Sequence, residues 1–173
     1  SKNTTIKNCV FVLPSQRACV FLKKELVEST TSSFILPKII SIENYIQELA
    51  DINLIDTTQL LFEFYSIYKA TLAQELIEPF ETFSQWATIA LNDFNEIDSY
   101  LVNSKDLFSN LKDIKKIEYW FQDKTPSKLA LNYLQFFEHL NKLYNLLYQK
   151  LKKNKFGYQG LIYREAVDNL EYY

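Results

Sequence analysis

The 173-residue sequence contains two glycines and no methionine. Average glycine usage would put roughly twelve in a chain of this length, so neither a glycine-rich phosphate loop nor a turn-dense β-sandwich is expected. One histidine, His139, and two cysteines, Cys9 and Cys19, supply no ligand set for structural zinc and no four-cysteine cluster. They leave little scope for a Ser-His-Asp or Cys-His pair. No apolar run approaches the roughly 18 residues of a membrane span, and no charged-then-apolar signal segment leads the chain. Cytoplasm is therefore the expected compartment, with both cysteines read as reduced core thiols. The missing methionine and the polar opening at Ser1 make a piece of a longer protein the expectation.

What is present is apolar and aromatic. Hydrophobic residues make up 47% of the chain and aromatic ones 16%, which excludes disorder and suffices for one packed domain. The net charge of −2 is unevenly spread: residues 1–50 carry +2, residues 51–101 carry −8 and residues 102–173 carry +4. That acidic middle excludes a protein coated by nucleic acid on every side, while basic surface at either end remains available.

The run IKNCVFVL, residues 6–13, is short, apolar on consecutive positions and stopped by Pro14. This is the pattern of a parallel strand buried on both faces. Ser15 is suited to cap a helix through about Glu28, with Ala18, Val20, Phe21, Leu22, Leu26 and Val27 as one broad apolar face. FILPKII predicts a second strand, and Ser41 with Glu43 starts a helix to about Ala50, which completes a βαβ unit. Beyond it only helices are predicted. Asp56 or Thr57 caps the first, through about Ala73; Pro79 opens a second whose Phe83, Trp86, Ala87, Ala90, Phe94 and Ile97 recur at three and four. Ser104 opens a third that bears Ile114 and Ile117, Pro126-Ser127 opens a fourth from about Lys128 to Lys155 that stops near Gly157, and a fifth covers roughly Gln159 to Glu171. The expected fold is mainly α with a small α/β part: two parallel strands at most in residues 1–56, then a helical subdomain over 57–173. Most phenylalanines and Trp86 should lie inside, with several tyrosine hydroxyls wet.

Ligands collect at the carboxyl ends of parallel strands, where this chain presents Ser15, Gln16 and Arg17 beside the start of a helix. Backbone amides, a hydroxyl and a guanidinium suit successive phosphates without reading bases. Ser41 at the next helix start, with Lys23 and Lys24, extends the candidate nucleic-acid site. Ordinary capping with one surface arginine explains the same residues. Asp93, Glu96 and Asp98 converge too little for a magnesium or calcium site and read as helix-end or interdomain groups. Lys150, Lys152, Lys153 and Lys155 complement a helix carboxyl end, with DNA-backbone contact as the alternative. His139, among Phe136, Phe137, Leu140 and Leu143, reads as a satisfied or half-exposed helix histidine. The Gly157 to Gly160 spacing matches an RNA-clamping loop without the α/β order such a domain needs.

Taken in order, VFVLPSQRACVFLKKEL, LPKIISIENYIQELA, ETFSQWATIALNDFNEIDSYLV and NKLYNLLYQKLKKNKFGYQGLIYREAV resemble the amino-terminal part of AddB-type helicase-nuclease proteins of the Bacteroidetes type. The resemblance spans essentially the whole chain, with LPSQRA and DFNEIDSYLV its most specific stretches. It extends to the first helicase domain of the UvrD/RecB superfamily, VFVLPSQRA standing at a DNA-backbone loop. It implies a partial helicase-like sheet followed by an inserted helical bundle. It further implies a parent that processes broken DNA ends with an AddA-like partner subunit, carrying a PD-(D/E)XK nuclease outside these residues. On this reading the chain itself holds no catalytic residue and no cofactor, binds DNA weakly and non-specifically, and does not engage a membrane. A helical protein-interaction module without nucleic-acid binding is the alternative.

Overall fold

A computed structural model describes residues 9–29, 35–111 and 128–170. The chain is mainly helical with a small α/β part. Strand β1 (Val10–Leu13) ends at Pro14, and helix α1 (Gln16–Glu28) carries the chain back to strand β2 (Lys38–Ser41). The two strands are parallel, in a register that sets Val10 opposite Lys38 and Leu13 opposite Ser41. Residues 6–8 of the predicted first strand lie outside the described residues, as do 112–127, which hold Ile114, Ile117 and the Pro126-Ser127 helix start.

The expectation that β1 is buried on both faces is not met. Val10, Phe11 and Val12 are 51%, 36% and 39% exposed, whereas Ile39 and Ile40 of β2 are buried. One neighbouring strand and one helix cannot cover both faces of a strand. For the same reason α1 has a narrower buried stripe than its apolar residues allow. Cys19 is buried and Ala18, Leu22 and Leu26 are partly covered, while Val20, Phe21 and Val27 are exposed.

Helix α2 (Ile42–Ala50) ends at Asp51 in the left-handed region. Asp56 then caps α3 (Thr57–Thr71), accepting from the amides of Thr58 at 2.8 Å and Gln59 at 3.3 Å. Those backbone hydrogen bonds hold its carboxyl below the ordinary carboxylate range. After a 3₁₀ turn (Gln74–Leu76), α4 (Phe80–Ser99) follows Pro79, α5 spans 104–111, α6 is Lys128–Lys153 and α7 is Gln159–Leu170. Asn103, one residue before the predicted Ser104, caps α5 by accepting from the amides of Lys105 and Asp106. The core between α3, α4 and α6 is the expected periodic stripe: Phe64, Phe83 and Phe94 are fully buried, and so are Leu143, Leu147 and Leu151 at four-residue steps. Phe64 meets Phe83 and Phe94 with ring centroids 5.3 and 5.7 Å apart.

The aromatic residues are less buried than expected: Phe11, Phe21, Phe62, Phe136 and Phe156 are exposed, and Trp86 is only half-buried, its indole N–H donating to Glu78 at 3.0 Å. Tyr100 is 77% exposed, whereas the hydroxyls of Tyr144, Tyr148 and Tyr158 are bound to carboxylates inside the fold. His139 is half-exposed as expected, and its Nε2 is buried with no hydrogen-bond partner among the described residues. Burial first, then Lys142, lowers its pKa from the ordinary imidazole value.

A second parallel pair closes the bundle. β3 (Asn53–Leu54) runs beside β4 (Phe156–Gly157), with the amide of Asn53 donating to Lys155 O and that of Ile55 to Gly157 O, both at 2.9 Å. Among the described residues of 1–56 there are thus three strands, not two at most, the third being the two-residue β3. Asn169 of α7 donates to Leu49 O at the end of α2, at 2.8 Å. Gly157 is not the helix stop. That role falls to Lys155, at φ 57°, and Gly157 has no positive φ. A Cβ on Gly157 would sit 2.9 Å from Leu161 and 3.1 Å from Ile52, and one on Gly160 only 2.2 Å from Asn95 O. Both glycines are therefore packing devices.

Asp98, near the end of α4, is fully buried. Its carboxylate accepts from Tyr144 of α6 and Tyr158 at 2.5 Å each, and from Arg164 Nε of α7 at 2.7 Å. Arg164 Nη2 also donates to Ile97 O and Val102 O, satisfying carbonyls where α4 ends and Leu101 turns left-handed at φ 54°. Glu165, also buried, accepts from Tyr148 and pairs with Lys152 at 2.7 Å. Burial, reinforced by these carboxylates, pushes the phenols of Tyr144, Tyr148 and Tyr158 above their ordinary value.

Two stability outcomes follow. Removing one partner of a buried ion pair costs about 3–5 kcal/mol, so Asp98→Ala is expected to lower the urea midpoint strongly, and Asp98→Asn, which keeps an acceptor, less. Gly160→Ala drives a methyl into the α4 backbone and is expected to cost about 2 kcal/mol or more in the same measurement, as overpacking does.

Candidate nucleic-acid interface

The parallel register of β1 and β2 brings their carboxyl ends level, so α1 and α2 begin side by side. Each start is capped by the serine that ends or follows its strand. Ser15 Oγ accepts from the Ala18 amide at 3.2 Å, and Ser41 Oγ accepts from the Asn44 amide at 3.3 Å. Both serines have extended backbone at the cap, the geometry that lets a short hydroxyl turn back onto the first helical turn. The two caps are tied together: Gln16 Nε2 donates to Ser41 Oγ at 3.1 Å.

Four of the six sequence-predicted residues therefore meet at one end of the sheet, in two layers. Ser15, Gln16 and Arg17 are exposed, whereas Ser41 has no exposed surface and its oxygen already takes two donors. Ser41 thus acts by holding Gln16, not by touching a ligand. Lys23 and Lys24 lie two helical turns further along α1, about 10 Å away. Lys24 Nζ is 3.7 Å from Glu28, an exposed pair of little energetic consequence.

Electrostatics separate the two helix starts. The first turn of α1 has no acidic residue, but that of α2 carries Glu43. Among the amides that open α1, that of Ala18 goes to Ser15 Oγ and that of Cys19 to Ser15 O. The amides of Gln16 and Arg17 lie at the positive end of the helix dipole, and Arg17 is an exposed residue of the same first turn. An anion is favoured at α1 and disfavoured at α2.

Three of the four lysines predicted near the end of α6 are engaged elsewhere, while Lys153 is exposed with no ion pair among the described residues. Lys150 pairs with Glu63 at 2.6 Å, Lys152 with Glu165 at 2.7 Å and Lys155 with Asp51 at 2.6 Å. They knit α6 to α3 and α7, and the turn after α6 to the end of α2. Asp93 and Glu96 are exposed and Asp98 belongs to the buried cluster; among the described residues no three metal-ligating side chains converge. A hollow of about 540 Å³ between α3, α4 and the start of α7 is lined by Ile55, Thr58, Leu91, Asn95 and Tyr158 among others, with no charged side chain to attract a phosphate. No helix among the described residues is long and apolar enough to cross a membrane.

The sequence reading missed two things: Gln16 as a cross-strand tie, and Arg164 as the partner of Asp98. Local spacing could reveal neither, because their partners lie 25 and 66 residues away. Ser41→Ala removes a helix cap and strands the Gln16 carboxamide. It is expected to cost about 1 kcal/mol of stability, read from urea denaturation followed by circular dichroism.

No family model matches this chain, and no curated protein matches its sequence at a significant level.

Proposed function

We propose that this chain is the amino-terminal, non-catalytic part of an AddB-type subunit of a DNA-break-processing helicase-nuclease, and that it contacts the DNA backbone through the start of α1. The observation that carries the reading is the pair of helix amino termini at the carboxyl end of a parallel strand pair, tied by the Gln16–Ser41 hydrogen bond at 3.1 Å. Parallel sheets bind ligands at that end, and a helix start with a neighbouring arginine suits a phosphate. The βαβ unit ahead of a mainly helical stretch is consistent with a partial helicase-like sheet that leads into an inserted bundle. On this reading the PD-(D/E)XK nuclease chemistry and the docking of an AddA-like partner belong to other parts of a cytoplasmic parent. The chain itself contributes a positioning contact and no cofactor.

One helix start and one guanidinium engage few phosphates, so binding is weak, insensitive to base sequence and sensitive to salt. A second reading, a protein-interaction module that binds no nucleic acid, is favoured by the exposed Phe62, Leu76 and Ile89 on the acidic side of the bundle. Titration of a labelled single-stranded oligonucleotide at several salt concentrations separates the two. Arg17→Ala is expected to weaken binding and to reduce the log–log salt slope by about 0.7, one phosphate contact on a single strand. Equal binding by both proteins would remove the assignment to α1, and no binding by either at low salt would leave the interaction module.

A further inference from the structure

Residues 51–101 carry nine carboxylates and a single cation, Lys69. Five of the nine are engaged: Asp56 caps α3, Asp98 belongs to its buried cluster, Asp51 and Glu63 pair with Lys155 and Lys150, and Glu78 accepts from Trp86. Glu75, Glu81, Asp93 and Glu96 are exposed and meet no cation among the described residues. Glu75 and Glu81 differ from the other two in their aromatic surroundings. Glu81 follows Phe80, whose ring stacks on that of Phe62 with centroids 5.0 Å apart and planes 9° from parallel. Tyr65 meets the edge of Phe80 at 5.2 Å, and its hydroxyl donates to Glu78 O at 3.0 Å, which fastens the segment from Glu75 to Phe80 against α3. Phe62 is 56% exposed, and Leu76, beside Glu75, is 65% exposed. This ledge already attracts a cation: Lys69 Nζ lies 4.8 Å over the Tyr65 ring.

We propose that the Phe62–Phe80 ledge, with Glu75 and Glu81, is a docking surface for an arginine-bearing segment of a partner protein. Charge complementarity sets the sign of the occupant. Two exposed carboxylates without a counter-charge draw positive charge, and covering them with a wholly apolar partner would remove their water and give nothing back. The stacked ring sets the kind of cation. A guanidinium lies flat on a phenyl face while its N–H groups reach a neighbouring carboxylate, whereas an ammonium is a strongly hydrated point charge that gains less from the ring. The same carboxylates repel a polyanion, so the ledge is no extension of the contact at α1. It stands whether or not α1 meets DNA.

The test uses the whole chain. Fluorescence anisotropy with a labelled oligoarginine peptide at low salt is expected to show saturable binding that weakens as salt is raised, and tighter binding than by oligolysine of the same length. Phe62→Leu keeps an apolar side chain but removes the ring face, and is expected to abolish the preference for arginine. Glu75→Gln combined with Glu81→Gln is expected to weaken both peptides about fivefold. Asp93→Asn, about 18 Å along α4 from Glu81, is expected to leave both unchanged. Unchanged circular dichroism controls for folding, and the glutamine variant removes no packed group. An arginine preference that survives Phe62→Leu, equal weakening by Asp93→Asn and the double variant, or no binding of oligoarginine at low salt would each overturn the proposal. So would a dimer in light scattering that the double variant dissolves, since the occupant would then be a second copy. None of these outcomes depends on the oligonucleotide titration.

Discussion

A buried carboxylate is tolerable only where charge and hydrogen bonds compensate its lost hydration, and Asp98 meets that condition with groups from three separate parts of the chain. Tyr144, Tyr158 and Arg164 converge on it from α6, from the turn before α7 and from α7. Each donor is useful only if the others are in register, because a half-satisfied buried network is worse than an apolar one. The helix ends that lean on this cluster are consequently set to within hydrogen-bond tolerance. The close approach of α7 to α4 at Gly160, where no Cβ fits, relies on that placement.

From this fixed end the rest of the bundle follows by packing. β3 and β4 are only two residues each, yet they join chain segments about a hundred residues apart. Asn169 then fastens α7 to the end of α2. Residues 42–55 therefore share their interior with the carboxyl-terminal helix, while β1 and α1 lie at the margin of the same body with much of their apolar surface uncovered. The contrast reflects the number of neighbours. A helix in a bundle buries a stripe against two or three others, but a strand with one partner leaves an edge and most of a face open.

How much of this was legible in the sequence depended on range. Helices α3, α4 and α6 were readable because Phe64, Phe83, Phe94 and the Leu143, Leu147, Leu151 series repeat at helical spacing, a signal contained within each segment. β1 and α1 were readable as elements for the same reason, through the apolar run, Pro14 and the Ser15 cap. Their exposure was not, because burial depends on what else packs there. The shelf at Ser15, Gln16 and Arg17 followed from the strand-end rule, whereas the buried supporting role of Ser41 required the strand register. β3 and β4 are too short for any alternation to register. Gly157 looked like a helix stop because glycine usually fills the left-handed position; Lys155 holds it instead, and the ion pair of its side chain with Asp51 tethers that turn.

Charge distribution then constrains how an anion could approach. Residues 51–101 carry eight net negative charges on the α3 and α4 side, and Lys150, Lys152 and Lys155 are each paired with a carboxylate of another element. A lysine so paired offers less attraction to a phosphate than its formal charge implies, since binding would have to displace or share an existing partner. Arg17 differs in both respects, being exposed at the start of a helix with no acidic residue in its first turn. On the proposed reading, a phosphate is therefore favoured at the start of α1 over the acidic α3 and α4 surface.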